Sequence, residues 1–279
     1  MAAGRSEAEA VAAACAAARD NGVHCHRPAV VHSGSNVVVH LRPAPVVARV
    51  MTGTAVLHDD SQRWLNREVS VLSFLASSGM AVRPSSLIAP GPYHRSGLWL
   101  TFWEWIGEHE QAGLDRGPDS LGRALRELHE VLAGFTGELG GLLDLQHDIE
   151  RLHRQLRPAD ALSRQKIHSL RSRLLALTEP VFAAPWPTQA LHGDVSLSNL
   201  LSVNHRLVWN DFEDTLRGPV HWDVAGFLLS LRARGADLPF VARALEAYGG
   251  LDERDLAPFT EAHAVYDEIW RLYIAQRQL

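Results

Sequence analysis

The chain has 279 residues, of which 46% are hydrophobic and 21% charged, and its formal net charge is −5. These values exclude a wholly disordered chain. The negative net charge argues against a nucleic-acid polymer as a binding partner. Two cysteines exclude a disulfide framework, and no apolar run approaches the about 20 residues of a membrane span, so we expect a cytoplasmic protein without a membrane partner.

The N-terminal part of the chain predicts a small sheet with helices. Ser6 and Glu9 have capping-box spacing at the start of an alanine-rich helix. Short valine-rich runs broken by turns predict strands, and apolar residues spaced by three or four predict a second helix. In chain order we predict a helix over 6–20, three strands within 28–57, a helix over 61–78, and strands near 87–89 and 98–106.

Beyond Gly107 the apolar pattern is mostly helical. The predicted helices cover 119–134, 144–156, 161–178 and the chain from 221 onward, and short apolar segments around loops interrupt them over 189–213. We therefore predict an α+β protein of two lobes with a hinge over about 102–107. A small antiparallel-sheet lobe covers residues 1–105, and a mainly helical lobe covers residues 106–279.

The polar residues that carry chemistry follow one another at short spacing. Asp194 and Asn199 lie five residues apart in a loop, and Asp211 follows Asp194 by seventeen residues. A carboxylate can orient a hydroxyl and accept its proton, and Mg²⁺ prefers oxygen ligands such as a carboxylate and an amide carbonyl. This set predicts phosphoryl transfer, since protein kinases use an H-R-D-x-x-x-x-N loop followed by a metal-binding Asp. His192 fits that frame, and Gly193 replaces the arginine.

These motifs resemble those of the aminoglycoside phosphotransferase family, the small-molecule branch of the protein-kinase-like fold. The H-G-D-x-x-x-x-N and D-F-E forms carry the resemblance, which runs from about residue 28 to residue 270. It implies a bilobal kinase-like fold and an enzyme that moves the γ-phosphate of ATP or GTP to a hydroxyl of a small molecule. It also implies Mg²⁺ as cofactor.

The resemblance implies a role for each matching residue of the second lobe. Asp194 corresponds to the catalytic base, and Asn199 and Asp211 correspond to the Mg²⁺ ligands. His192 corresponds to the histidine that braces the loop. Asp223 corresponds to the aspartate that begins a helix and supports the loop without touching substrate.

The first lobe should supply a phosphate cover and a cation. The turn Gly34-Ser35-Asn36 lies between two strand-like runs, where its backbone N–H groups could cap phosphates; an ordinary hairpin turn is the alternative. Arg49 resembles the lysine of the third kinase strand, and its planar guanidinium suits phosphate. Glu68, in the following helix, is placed to pair with Arg49, the alternative being two surface charges.

Two further regions are assigned from their position in the chain. Backbone groups of Trp103, Glu104 and Trp105 would bind the purine at the hinge, although the two tryptophans could equally belong to the core. The sequence does not distinguish adenine from guanine. Candidates for the acceptor pocket are Asp144, Asp148, Glu261, Asp267, Glu268 and Trp270. Converging carboxylates would suit a polycation such as an aminoglycoside, but a mixed charged helix face is the commoner cause.

Several alternatives stay open from the sequence. The acceptor could be an aminoglycoside, another antibiotic, or a metabolite such as an amino alcohol or a sugar, and the chain could be a monomer or a homodimer. A pseudokinase-like module that binds nucleotide or a partner without transfer is a second candidate. A protein kinase is a third, although the segment between Asp211 and Asp223 is short for an activation loop.

Overall fold

The computed structural model describes residues 6–54 and 60–276, which divide into two compact units. The first unit comprises the chain up to Gln111 together with Leu200–Glu213. The second comprises Ala112–Asn199 and the chain from Asp214 onward. A segment far along the sequence therefore packs with the N-terminal sheet, and the hinge expected over 102–107 stays a prediction.

A five-stranded antiparallel sheet forms the centre of the first unit, in the order β1-β2-β3-β5-β4. One face of this sheet is covered by helix α1, whose N-terminus has the predicted capping box between Ser6 and Glu9. The buried face of α1 consists of alanines, which let the helix backbone lie close to the strands. The elements are α1 (Glu7–Asp20), β1 (Arg27–Ser33), β2 (Val37–Arg42), β3 (Val46–Met51), β4 (Tyr93–Arg95) and β5 (Leu98–Glu104).

The remaining elements of the first unit carry polar residues that matter below. Helix α2 (Ser61–Leu75) buries Glu68 among leucines on its inner face. A three-stranded sheet in the order β6-β8-β9 is formed by β6 (Glu110–Gln111), β8 (Leu200–Val203) and β9 (Arg206–Trp209). The chain leaves β9 two residues before Asp211.

The predicted strand near 87–89 is wrong. The chain bends at 86–88, and the strands that pair with β5 are β3 and β4. The hydroxyl of Ser85 accepts hydrogen bonds from the backbone N–H groups of Leu87 and Ile88, at 3.1 and 3.4 Å. Because these N–H groups are already satisfied by a side chain, they do not join a strand ladder.

The second unit is mainly helical, with one small two-stranded sheet of β7 and β10. Its helix α3 packs closely against α7 at Gly122, where a Cβ atom would run into the carbonyl of Ala244. The elements are α3 (Pro118–Leu132), α4 (Leu142–Gln155), α5 (Ala161–Ala176), β7 (Gln189–Leu191), β10 (Leu216–Gly218), α6 (His221–Ala233), α7 (Leu238–Tyr248) and α8 (Glu253–Ala275). Across the described ranges, no helix is both long and apolar enough to cross a bilayer.

Candidate active site

The loop after β7 depends on a glycine for its path. Gly193 has a φ of 90°, which lies in the left-handed region that favours glycine. A Cβ atom at this position would also run into the backbone carbonyl of Asp214. Gly193 occupies the place of the protein-kinase arginine, and this backbone has no room for a side chain there.

Asp223, at the start of α6, fastens this loop. Its buried carboxylate accepts the backbone N–H groups of His192 and Gly193, at 2.8 and 3.0 Å. His129 of α3 contacts the same carboxylate through Nε2 at 3.0 Å. Burial by itself would raise the pKa of Asp223, but the hydrogen bonds and charge of His129, together with His192, outweigh it and lower this pKa below its usual value.

Two further hydrogen bonds hold the loop from within the second unit. The indole N–H of Trp222 donates to the carbonyl of Gly193 at 2.9 Å. The backbone N–H of Asp194 donates to Nδ1 of the fully buried His192 at 3.3 Å. His192 and Asp223 are therefore both buried and hydrogen-bonded to the backbone of the loop, and neither lies on the exposed side of the loop.

Asp194 and Asn199 are joined directly. Nδ2 of Asn199 donates to Oδ2 of Asp194 at 2.8 Å and to its backbone carbonyl at 2.9 Å. These bonds use the nitrogen of the amide, while its Oδ1 accepts no hydrogen bond from the described residues. An exposed carboxylate is thus held in one orientation, beside an amide oxygen of the type that Mg²⁺ prefers.

Arg49, on β3 of the first unit, is surrounded by three carboxylates. Its Nη1 lies 3.3 Å from Oε2 of Glu68, and its Nη2 lies 3.2 Å from Oδ1 of Asp211. Nη2 also forms an ion pair with Oε2 of Glu213. The predicted Arg49–Glu68 pair is present and buried, which excludes the alternative that both are surface charges.

Glu68 has an unusual environment for an acid. Burial raises its pKa to about 7, and the nearby charge of Asp211 acts in the same direction. Arg49 opposes this change, as does the hydroxyl of Thr101, which donates to Oε2 of Glu68 at 3.5 Å. Desolvation therefore dominates over the attraction of the cation.

Asn36 ties the predicted phosphate-covering turn to the D-F-E segment. Its Nδ2 donates to Oε2 of Glu213 at 2.8 Å. Its Oδ1 accepts the backbone N–H of Thr52 and the hydroxyl of Thr54, at 3.2 and 3.0 Å. All hydrogen-bonding atoms of this buried amide are directed at the protein.

Some backbone groups of the same turn are also engaged within the protein. The N–H of Gly34 donates to the carbonyl of Asn36 at 3.1 Å, and the carbonyl of Ser35 accepts the N–H of Gly53 at 2.8 Å. A Cβ atom at Gly53 would run into that carbonyl. The Gly34 N–H is thus engaged within the turn, and capping a phosphate with it requires the turn to open.

Asp211 combines a strained backbone with an incompletely satisfied side chain. Its φ is 62°, a left-handed conformation that few residues other than glycine adopt. Its Oδ1 is buried and forms no hydrogen bond with any described residue, although Arg49 lies within ion-pair distance. A buried carboxylate oxygen without a hydrogen bond is suited to a cation, so Asp211 fits an oxygen ligand of the kind expected for Mg²⁺.

The predicted purine-binding segment is engaged by its neighbours. The side chain of Trp103 is buried in the first unit. The backbone N–H of Glu104 donates to the carbonyl of Arg83 at 2.8 Å, and that of Trp105 donates to the carbonyl of Pro45 at 2.9 Å. A purine bound at this segment would therefore use groups other than these two N–H donors.

Five of the predicted acceptor residues have other partners, and one of them is Asp148, which pairs with Arg151 at 2.8 Å. Arg173 pairs with Glu261 at 2.7 Å and with Glu268 at 3.2 Å, so the charges of these carboxylates are already compensated. Asp144 accepts the backbone N–H of the residue that precedes α4, at 2.7 Å, and so caps that helix. Trp270 stacks on a neighbouring tyrosine ring.

The charges of Asp148 and Asp267 both act on Tyr266 of α8. Burial raises the pKa of Tyr266 well above its usual value, and the charges of Asp214, Asp194, Asp267 and Asp148 add to this. The carboxylates come from α4, α8 and two loops. The charge of Asp194, the candidate for the catalytic base, is therefore one of those that raise the pKa of Tyr266.

Sequence reasoning missed Glu213, Tyr266, Asp214 and His129. Glu213 is the last residue of the D-F-E motif and had no role assigned to it. His129 lies on the apolar face of α3, where a polar residue signals a buried partner. The sequence contains no such signal for Tyr266 or Asp214.

A comparison of the sequence with profiles of known protein families identifies the family of this chain. The profile of the phosphotransferase enzyme family, APH, matches residues 35–259, which is more than half of the chain. The chain belongs to this family. The resemblance inferred from the H-G-D-x-x-x-x-N and D-F-E motifs is confirmed. Membership supports a small-molecule kinase with a nucleotide donor and a divalent metal ion.

Solved structures confirm the protein-kinase-like fold of this APH-family chain. Choline kinase LicA from Streptococcus pneumoniae is 13% identical with a TM-score of 0.67, covering 94% of this chain and 90% of that one. Amicoumacin kinase bound to AMP-PNP, Ca²⁺ and its substrate is 12% identical with a TM-score of 0.65, covering 88% and 79%. A GDP complex of aminoglycoside 2'-phosphotransferase-IIIa is 16% identical with a TM-score of 0.59, covering 98% and 99%. No curated protein sequence matches this APH-family chain significantly.

Proposed function

We propose that this protein transfers the γ-phosphoryl group of ATP or GTP to a hydroxyl of a small molecule. The observation that carries this proposal is the Asp194 carboxylate, oriented by the amide of Asn199 at 2.8 Å in a loop fastened by Asp223. A fixed carboxylate beside an amide oxygen is the arrangement that phosphoryl transfer requires, because this chemistry depends mainly on positioning and electrostatics.

In the proposed reaction, the oxygen of the acceptor hydroxyl attacks the γ-phosphorus, and Asp194 accepts the proton of that hydroxyl. The bond from the γ-phosphorus to the bridging oxygen breaks, and the nucleoside diphosphate leaves. Mg²⁺, with Asn199 and Asp211 as its proposed oxygen ligands, would neutralise charge on the phosphates. Asn199 restrains the Asp194 carboxylate, so that its accepting oxygen keeps one direction.

Arg49 is the proposed phosphate-binding cation. Its guanidinium carries a permanent charge and offers two nitrogens in a planar fork, which matches two phosphate oxygens. Glu68 lies 3.3 Å from Nη1 and would hold the side chain in place. Contact with phosphate requires Arg49 to loosen its ion pair with Asp211.

The surroundings of Tyr266 favour an acceptor that carries positive charge. The charges of four carboxylates help to raise the pKa of Tyr266, and those of Asp148 and Asp267 come from the region proposed for the acceptor, although Asp148 also pairs with Arg151 at 2.8 Å. A protonated amine would be attracted there, whereas an anion would be repelled. The structural relatives include a choline kinase, an amicoumacin kinase and an aminoglycoside phosphotransferase. Amino sugars and amino alcohols with a free hydroxyl are therefore the acceptors to test first.

One observation favours a second candidate, a module that binds nucleotide without transfer. The backbone N–H of Gly34, one of those expected at the phosphates, is engaged within the turn, and the side-chain amide of Asn36 is bonded to Glu213. If these groups stay closed, the phosphates lose their proposed cover. A protein kinase is less favoured, because the loop has Gly193 in place of arginine.

The deciding experiment combines nucleotide binding with product detection. The protein is incubated with Mg²⁺, ATP or GTP, and a panel of amino sugars and amino alcohols, and products are detected by mass spectrometry as a gain of one phosphate. Asp194→Asn should lower turnover at least about a hundredfold and leave nucleotide affinity within about threefold. Asp20→Asn, an exposed aspartate of the first unit, is the control. Nucleotide binding without any product would support the binding module.

A further inference from the structure

Arg49 is the central cation of a buried carboxylate cluster. Arg49 is 7% exposed, and its guanidinium pairs with Glu68, Asp211 and Glu213. One of these partners, Asp211, is the carboxylate proposed to bind metal. A guanidinium and a divalent cation compete for such a carboxylate, because each neutralises the same charge.

We infer that Arg49 is the internal counter-ion of the metal-binding carboxylate, so that a divalent ion binds well only after nucleotide phosphates draw Arg49 away from Asp211. The part of this inference that concerns phosphate rests on the proposed function. The competition between Arg49 and the metal ion does not, because it follows from the carboxylates of the first unit alone.

The three carboxylates are held to different degrees. Glu213 also accepts a hydrogen bond from Asn36 at 2.8 Å, and Glu68 lies within hydrogen-bonding distance of both Arg49 and Thr101. Asp211 differs, since its buried Oδ1 forms no hydrogen bond within the described residues and is compensated only by the charge of Arg49. Asp211 is therefore the partner that Arg49 can release at the lowest cost.

The shape of the guanidinium explains why arginine serves this role better than lysine. Nη1 lies beside Glu68, while Nη2 lies between Asp211 and Glu213. An ammonium group is a single point of charge and cannot hold these positions together. Lysine at this position would therefore leave Asp211 less well compensated and more available to metal.

The inference predicts two effects of opposite sign. Removing the charge of Arg49 should strengthen binding of a divalent ion in the absence of nucleotide, because a competing cation has gone. The same change should weaken binding of the metal–nucleotide complex, because the phosphates lose their cation. A residue that only supports the fold would weaken both.

The test uses Mn²⁺, whose free ion is counted by electron paramagnetic resonance in titrations of the full chain. Arg49→Met should bind Mn²⁺ alone about tenfold more tightly than the wild type, and Mn²⁺ with ATP about tenfold more weakly. Arg49→Lys should tighten Mn²⁺ alone several-fold and weaken binding of Mn²⁺ with ATP less than Arg49→Met does, because it keeps the charge but not the planar fork. Arg95→Met removes an exposed arginine paired with Asp20 and should change neither affinity.

Equal or weaker binding of Mn²⁺ alone by both folded Arg49 variants overturns the inference. If Arg49→Met does not fold, Arg49→Lys decides, since it keeps a positive charge among the carboxylates. Failure of the proposed function has a separate signature, in which the wild type binds no nucleotide. In that case the titration with Mn²⁺ alone still tests whether Arg49 competes with the metal.

Discussion

The carboxylate of Asp223 accepts the backbone N–H of Gly193 at 3.0 Å, linking the first turn of α6 to a loop thirty residues earlier. The second carboxylate oxygen accepts the N–H of His192 at 2.8 Å. Both donors belong to the backbone, so this link does not depend on the side chains of the loop. A buried carboxylate that receives such bonds is stabilised as the anion, and removing its charge should weaken the loop and the fold together.

Replacing Asp223 by Asn should lower the free energy of unfolding by about 2–4 kcal/mol near neutral pH, because an amide NH₂ would face backbone donors. The pKa of Asp223 is lowered in the folded state, so its contribution is present above the unfolded pKa of 3.8 and is lost as pH falls through the lower folded pKa. Urea unfolding should therefore show a difference between the variant and the wild type that shrinks below about pH 4. A constant difference would contradict this assignment.

Glu68→Gln should show the opposite dependence on pH. The pKa of Glu68 is raised in the folded state from 4.5 to about 7. The contribution of protonated Glu68 to the free energy of unfolding is therefore fully present below pH 4.5, and it is lost as pH rises through about 7. The variant lacks this titration. Its free energy of unfolding should therefore rise relative to that of the wild type, by up to about 3 kcal/mol, as the pH is raised from 5 to 8. Urea unfolding at the two pH values measures this change. Glu104→Gln, an exposed partner of Arg83, serves as control and should show no such trend.

Gly193→Ala can be compared with a matched glycine of the same unit. Gly193 and Gly235 both have a φ of 90°, but a Cβ atom meets the Asp214 carbonyl only at Gly193, and nothing lies within 4 Å at Gly235. Gly235→Ala should cost about 1 kcal/mol for the left-handed backbone alone. Gly193→Ala should cost at least about 2 kcal/mol more, measured by urea unfolding, because the collision adds to the strain. Equal costs would show that the loop shifts freely.

Tyr266→Phe tests the acceptor assignment. We propose that the Tyr266 hydroxyl hydrogen-bonds the acceptor, so its loss should raise the acceptor KM about tenfold and leave the nucleotide KM unchanged. Steady-state kinetics with both substrates varied gives the two values. Tyr273→Phe, on the same helix, is the control. Equal changes in both KM values would place Tyr266 outside the acceptor pocket.

The parts of the site that the sequence predicts are those encoded locally. The spacing of Asp194 and Asn199 is short enough that one loop determines it, and the helices with strong apolar periodicity are found where the pattern places them. Glu213 is different, because its contact with Asn36 joins residues 177 positions apart and no local pattern encodes such a pairing. The prediction of a strand near 87–89 is wrong for a related reason. The hydroxyl of Ser85 accepts hydrogen bonds from backbone N–H groups that would otherwise bond to a neighbouring strand.

The left-handed backbone at Asp211 narrows the choice of amino acid there. Binding a cation calls for an acid, and a φ of 62° calls for one of the few residue types that tolerate it. Aspartate meets both demands, because its short side chain is among those enriched in this region, whereas glutamate is not. Exchanging the two acids at this position would keep the charge but disturb the chain. Asparagine, which keeps the shape and removes the charge, is therefore the more faithful replacement for separating chemistry from conformation.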